Sequence, residues 1–328
     1  MDQIQSFLEN LKQGGKQSHL NLTVIPLLSP DRTDPDYVIL EEALSHGAVK
    51  ITEVSQSGHV PELKLVNHSA NNVLVVDGEE LVGAKQNRIV NASFLIAGNS
   101  EVIIPVSCVE QGRWSYRSRK FASGEKVMPA MLRVEHQRDV AFSLSRGEGY
   151  HSDQGKIWDG IHRKCCRMGV RSSTGAMADL FEGQRDRLSE YQKPFSLGEC
   201  QVGSIFALNG DVVGLECFGH SRIFEKFFKK LIRSYALDAL DWLDESKSDH
   251  VPAESIRNFL GGIDETQQNV FPSLGLGENI RFQGKAISGA ALCYEGNILH
   301  MCAFSMNNSN ENSDKIKYQR FSQRRKRQ

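Results

Sequence analysis

The chain has 328 residues, 40% of them hydrophobic and 24% charged, and 39 Lys and Arg against 40 Asp and Glu leave a formal charge of -1. That is ample apolar material for a core, at a length that fits one large domain or two closely packed ones. A balanced charge excludes whole-molecule attraction to nucleic acid or to an anionic membrane surface, and no apolar segment approaches the roughly 20 residues that span a bilayer.

The opening stretch MDQIQSFLENLKQGGKQ predicts a short peripheral helix within residues 1–15, closed by Gly14–Gly15. It lacks a basic region followed by an apolar run, so it does not read as a secretory signal. Leu22–Leu28 is an apolar run closed by Ser-Pro, and residues 48–54 alternate as a half-buried strand does. Strands are also expected at Leu63–Val66 and Val73–Val76. Ile89–Ile96 and Glu101–Val109 flank the turn Ala97-Gly98-Asn99-Ser100 and predict an antiparallel hairpin.

Helices follow, from Pro129 to about Leu144, then Gln154–Met168 and Met177–Tyr191. The loop Gly169–Gly175 carries Ser172, Ser173 and Thr174, which suit N-capping, while its amides beside Arg171 also suit phosphate. Gln201–Phe218 returns to strand around Asn209–Gly210. Ile223–Leu243 is a helix whose Phe224, Phe227, Phe228, Leu231 and Tyr235 stripe predicts core packing. Pro252–Leu260 is expected as a helix stopped by Gly261–Gly262, and Arg281–Phe304 as a final hairpin. Asp77-Gly78, Asn209-Gly210 and Glu295-Gly296 each place an acidic or amide residue before Gly, which recurrent turn chemistry explains.

These elements compose a single α+β domain over residues 1–306, a largely antiparallel sheet with helices from the middle of the chain packed over it. After Met306 the composition turns Asn-rich and then basic, ending in Arg324-Arg325-Lys326-Arg327. Residues 307–328 are therefore expected to form a disordered tail. It reads either as a solvated segment or as a nuclear-import or nucleic-acid-binding tag, the one route by which nucleic acid would be a partner. Seven cysteines, without a C-x-x-C pair, predict free thiols in a reducing, cytoplasmic setting and no zinc knuckle.

The most unusual segment is Asp77–Arg88. Gly78 and Gly83 bracket Glu79 and Glu80, and Lys85, Gln86, Asn87 and Arg88 follow between apolar runs. As a continuous strand it puts Lys85 and Asn87 on one face and Gln86 and Arg88 on the other, so Lys85 and Arg88 point apart unless a bulge intervenes. The set offers a guanidinium fork and an ammonium for phosphate or carboxylate. It fits equally an exposed strand with cross-strand ion pairs.

In Cys108–Trp114, alternation places Cys108 and Glu110 on one side, and Gly112 frees the chain to present Gln111, Arg113 and Trp114. Arg beside an aromatic suits a base or a phosphorylated ring. Cys108 reads as a small buried residue, and as a nucleophile only where a base lowers its pKa. Glu216 is a carboxylate within an apolar strand, and His300 reads as a hydrogen-bonded core histidine. No H-x-x-x-H, H-E-x-x-H or G-x-S-x-G occurs, so spacing identifies no metal site and no cofactor.

Gly78–Arg88, joined to Cys108–Trp114, resembles the domain described as associated with ADP-ribosylglycohydrolases and rhodanese-like phosphatases. Gln154-x-x-Ile157-Trp158-Asp159-x-Ile161 and Val213–Phe218 fit the same resemblance, which extends from about Leu63 to Phe304. It implies a role near ADP-ribose, NAD or phosphoester metabolism and carries over no catalytic residue. Combined with the chemistry of the residues, it leads to an expected site for a nucleotide-type small molecule. Lys85, Arg88 and Arg113 would hold phosphate, Trp114 would stack, and Glu80 or Glu110 would act as general base or metal ligand. Glu79, Gln86, Asn87, Gln111 and Glu216 complete the expected ligand contacts. The alternative is a non-catalytic interaction module in which these residues form a structural polar network. Oligomeric state is not legible in the residues.

Overall fold

The computed structural model describes residues 3–30, 34–55, 57–244 and 249–306. The basic tail over 307–328 lies outside the described residues. The fold is α+β with almost wholly antiparallel sheets, as the alternating strand patterns imply. Its largest sheet has nine strands. In spatial order these are Lys12–Gln13, Leu22–Leu28, Gln201–Leu208, Asp211–Phe218, Asn297–Ser305, Ile287–Tyr294, Glu278–Gln283 and Gln267–Pro272, with Gln17–His19 also paired to Leu22–Leu28.

A six-stranded sheet runs Phe121–Val127, Glu79–Gly83, Arg88–Val90, Ser100–Cys108, Glu62–Asn67, Val49–Glu53. A three-stranded sheet runs Phe94–Ile96, Asn72–Val75, Tyr37–Ile39, the last pair being parallel.

Period-two alternation decides what each face of the large sheet meets. Ile25, Ile205, Leu215 and Met301 point to one side, where Ile4 of the helix Gln3–Glu9 and Ile256, Phe259 and Ile263 of the helix Ala253–Asp264 cover them. Val24, Phe206, Phe218, Cys302 and Phe304 point to the other, into the largest apolar cluster. There the sheet meets the helices Ala130–Ser145 and Ser221–Asp241, together with Ile89, Val109 and Val127 from the six-stranded sheet region. The middle helices thus lie between two sheets. Leu81, Val90 and Val106 point into a third cluster with Ile51 and Leu65, which Val140 and Leu144 at the end of the helix Ala130–Ser145 also reach.

Several boundaries differ from expectation for local reasons. The run 89–96 is broken: Arg88–Val90 pairs with Val106–Cys108 in the six-stranded sheet, whereas Phe94–Ile96 leaves to pair with Val73–Val75. The hairpin expected around 97–100 therefore does not form. The helix Ala253–Asp264 continues through Gly261–Gly262, because Ile263 is buried and holds its last turn. Gln184 splits Met177–Gly183 from Arg185–Gln192, and the final hairpin forms from Ile287–Tyr294 and Asn297–Ser305, with Glu278–Gln283 and then Gln267–Pro272 added at its edge. The first helix ends at Glu9, and Lys12–Gln13 already pairs with Leu27–Leu28.

Two of the three acid-or-amide–Gly turns are two-residue hairpins with both residues at positive φ, 51° and 84° at Asn209–Gly210 and 48° and 76° at Glu295–Gly296. Asp77–Gly78 instead redirects the chain from the three-stranded to the six-stranded sheet. Among the described residues no helix is long and apolar enough to cross a membrane.

The Phe224–Tyr235 stripe is core. Phe206 stacks on Tyr235 at 3.7 Å and Phe218 on Phe227 at 4.8 Å between ring centroids. Phe227→Ala should cost about 3–5 kcal/mol in urea denaturation through the cavity it leaves. Phe142→Ala, at a position 63% exposed, should stay within about 0.5 kcal/mol. Equal losses would mean that the helix does not dock as described.

Candidate functional site

Asp77–Arg88 is a buried hairpin, and neither the continuous nor the exposed strand that its composition also allowed. Leu81 lies opposite Arg88 and Glu80 opposite Ile89, with the turn made at Gly83, φ 132°, and Ala84, φ 38°. Glu79, Glu80, Lys85, Gln86, Asn87 and Arg88 are all buried. Because the chain reverses at 84–87, alternation does not separate Lys85 from Arg88. Lys85 Nζ lies 4.9 Å and the Arg88 guanidinium 6.0 Å from the Trp114 ring.

Opposite residues of an antiparallel pair share a face, so the hairpin has two chemical sides. On the Glu80 side, the Glu110 carboxylate accepts from Arg113 Nη2 at 2.6 Å and from the Asn87 N–H at 3.1 Å through one oxygen. Its other oxygen accepts from Thr174 Oγ1 at 3.2 Å. Arg113 also donates to the carbonyls of Gly83, Ala84 and Ser115 and to Asn87 Oδ1. Burial alone would raise the Glu110 pKa, but Arg113 and the Asn87 N–H outweigh it and hold the carboxyl below the usual range.

Glu80 is the opposite case. Neither of its carboxyl oxygens has a well-formed hydrogen bond, and Lys126 Nζ is 4.0 Å away. Burial pushes its pKa up to about 7, against the pull of Lys126 and the Asn87 amide.

On the other side, Arg88 is fully buried. Its Nη1 donates to Gln86 Oε1 at 3.1 Å and to the Asn87 carbonyl, while Nε and Nη2 have no partner. Burial holds its pKa below the ordinary value. Cys108, directly across the ladder, donates through Sγ to Gln86 Oε1. Burial raises its pKa despite Arg88, so it stands as a thiol and not as a ready nucleophile. Trp114 and Tyr116 rim this side, 49% and 51% exposed, with Lys85 Nζ over both rings. Gln111 is exposed, and its carbonyl accepts from Gln86. In the loop Gly169–Gly175, Ser172 accepts from the Ala176 N–H, a local turn contact, and, contrary to expectation, no side chain caps the helix Met177–Gly183.

Glu79 and Glu216 lie outside this cluster. Glu79 accepts from the Val76 N–H and sits 3.6 Å from Lys230. Glu216 belongs to a second buried cluster between the sheets, where Arg133 binds both Glu216 and Asp77. Gln137 Nε2 donates to Asp77 Oδ2 at 2.7 Å, and His136 Nδ1 lies 3.8 Å from Asp77 Oδ1. Burial drives the His136 pKa down to about 4, so the imidazole is neutral. Arg281 is buried with no partner on any guanidinium nitrogen. Asp77 was read from the sequence only as a turn residue, and Arg133, His136, Gln137, Arg281 and Cys302 were not read as site residues. The available signal was a polar stripe at helical spacing, since Arg133, His136 and Gln137 fall at i, i+3 and i+4.

The raised Glu80 pKa makes a stability prediction. The folded state holds this proton more tightly than the unfolded chain does. The contribution is therefore fully present below the unfolded value of 4.5 and is lost as pH rises through about 7. Glu80→Gln should abolish about 3 kcal/mol of the decline in stability between pH 4.5 and 8. Urea denaturation across that range checks it, and parallel curves for the two proteins would show that Glu80 is not a buried, protonated group.

No curated protein and no solved structure compared with the chain matches it significantly. One family does match, over residues 10–304, which contains both clusters. The chain belongs to the ARPP-1 family, the ARG and Rhodanese-Phosphatase-superfamily-associated Protein domain.

Proposed function

We propose that the Arg88 side of the hairpin binds the phosphate of a nucleotide-type ligand related to ADP-ribose, with Trp114 and Tyr116 as stacking surface. One observation carries this reading. A fully buried guanidinium keeps two nitrogens without acceptors and lies 6.0 Å from the half-exposed Trp114 ring. Unpaired buried cations are costly, and an anion that supplies the acceptors removes that cost. Lys85 adds a second charge at the same rings. The family's association with ADP-ribosylglycohydrolase and rhodanese-phosphatase superfamilies agrees with a phosphorylated nucleotide as ligand.

The reading assigns different parts to the two arginines. Arg88 has donors available and takes the ligand. Arg113 donates to five acceptors of the chain itself and holds the loop, which is where the structural-network alternative has its support. Glu80, protonated near neutrality and without a well-formed hydrogen bond, is the one of the two carboxyls able to give or take a proton. It faces away from Arg88 across the hairpin, so the proposal is of binding and assigns no turnover to that pair.

ADP-ribose at about 100 times its dissociation constant should stabilise the fold by roughly 2.7 kcal/mol. Arg88→Met should abolish that shift and leave the empty protein as stable or more so, since an apolar chain of similar volume replaces an unpaired charge. Arg113→Ala should instead cost about 3–5 kcal/mol without ligand, because it strands the Glu110 carboxylate. If no nucleotide stabilises the protein and Arg88→Met unfolds readily, the network reading replaces the binding one.

A further inference from the structure

Glu216 and Cys302 lie directly opposite each other on neighbouring strands of the nine-stranded sheet, and His300, two residues before Cys302, shares their face. A carboxylate oxygen, an imidazole nitrogen and a thiol sulfur from these residues all lie within 4.8 Å of one another, and all three side chains are buried. We propose that Glu216, His300 and Cys302 bind one divalent d-block cation, and that the mixed O, N and S donor set selects Zn2+.

The spacing suits such an ion. Bonds of about 2.1 Å at tetrahedral angles separate two light-atom ligands by roughly 3.4 Å, and Glu216 Oε2 lies 3.5 Å from His300 Nε2. That nitrogen has no hydrogen-bond partner although it is buried. The ring's other nitrogen, Nδ1, is 2.8 Å from Ser93 Oγ, which also accepts from the Asp77 N–H. A hydroxyl oxygen has two lone pairs, so Ser93 can accept from Nδ1–H as well, and in that tautomer the Nε2 lone pair is free for an ion. Metal-bound imidazoles are oriented by such an outer hydrogen bond.

The surroundings divide their charges consistently. Arg133 engages Glu216 Oε1 most closely through Nη1 and reaches Oε2 only at 3.5 Å through Nη2, so a lone pair of Oε2 remains for coordination. Gln137 Nε2 donates to Cys302 Sγ at 2.9 Å, a bond that strengthens when the sulfur becomes a thiolate. Coordination displaces the thiol proton to solvent as the metal–sulfur bond forms. Arg281 stands on the same face beyond Ala290, and its unpartnered nitrogens would donate to an oxygen ligand at the remaining position. Motif spacing cannot reveal this set, because Glu216 and His300 are far apart in the chain and meet only through the sheet.

Elemental analysis of the full chain, purified without chelator, should find about one Zn2+ per molecule. Metal-stripped protein titrated with Co2+ should develop a sulfur-to-cobalt charge-transfer absorption. Folded Cys302→Ser should lack that absorption, and His300→Gln should bind at least tenfold more weakly. Cys166→Ser serves as the control, since Cys166 Sγ lies 3.6 Å from His162 Nε2 on the surface. It should bind as the parent does. Less than one-tenth of an ion per chain with no cobalt absorption overturns the proposal, and so does absorption that survives Cys302→Ser or disappears with Cys166→Ser. If the core variants do not fold, the parent's metal content, cobalt absorption and Cys166→Ser control decide alone.

Discussion

Arg133 carries a charge that has no access to water, and a buried guanidinium is tolerable only with acceptors placed for it. It reaches Asp77, at the entry to the six-stranded sheet, and Glu216, inside the nine-stranded one. The helix Ala130–Ser145 is therefore fixed between two sheets by charge as well as by apolar packing. Burial opposes ionisation of both Asp77 and Arg133. Even so, Asp77 is held below its usual range and Arg133 well above its own, because each answers the other. Gly78 belongs to the same constraint: a Cβ there would come within 3.0 Å of the Arg133 side chain. The dipeptide that turns the chain between sheets is thus also the one that admits the guanidinium.

The molecule solves the same problem elsewhere. Lys164 is buried against Asp238 at 2.6 Å and Asp241 at 3.0 Å, and Arg167 shares Asp241. Arg113 and Glu110 form another buried pair. Against these, Arg88 and Arg281 stand out: Arg88 has acceptors only at Nη1, and Arg281 has none at any guanidinium nitrogen among the described residues. A structural ion pair and a binding site can contain the same residue types. They differ in how much hydrogen-bonding capacity is left over: Arg113 has acceptors at both terminal nitrogens and lacks one only at Nε, whereas Arg88 lacks one at both Nε and Nη2.

Much of the fold was legible because it rests on periodicity. Leu22–Leu28, Gln201–Phe218 and the Phe224–Tyr235 stripe follow directly from where apolar residues recur. What was not legible depends on partners distant in the chain. Whether Phe94–Ile96 continues from Arg88–Val90 is decided by Val73–Val75, and whether Gly261–Gly262 stops a helix is decided by the burial of Ile263. Asp77–Trp114 was recognisable as a polar concentration. Its division into two faces was not, since that required knowing that 84–87 is a turn. The central cluster is assembled from Asp77, Arg133, Glu216, Arg281 and His300, which local sequence context cannot bring together.

The pairing of Ile25 with Ile205 has a consequence for how the chain matures. A ribosome adding roughly 5–20 residues per second emits the first of these strands on the order of ten seconds or more before the second. Through that interval Leu22–Leu28 has hydrophobic side chains on both faces and lacks the neighbour that will occupy its inner edge. The loop to be closed is long, so the large sheet condenses late, after the locally connected strands between Glu62 and Cys108 have had time to pair. A nascent chain halted before Gln201 would hold an unmatched apolar strand, the kind of segment that chaperones shield and that aggregates when they do not.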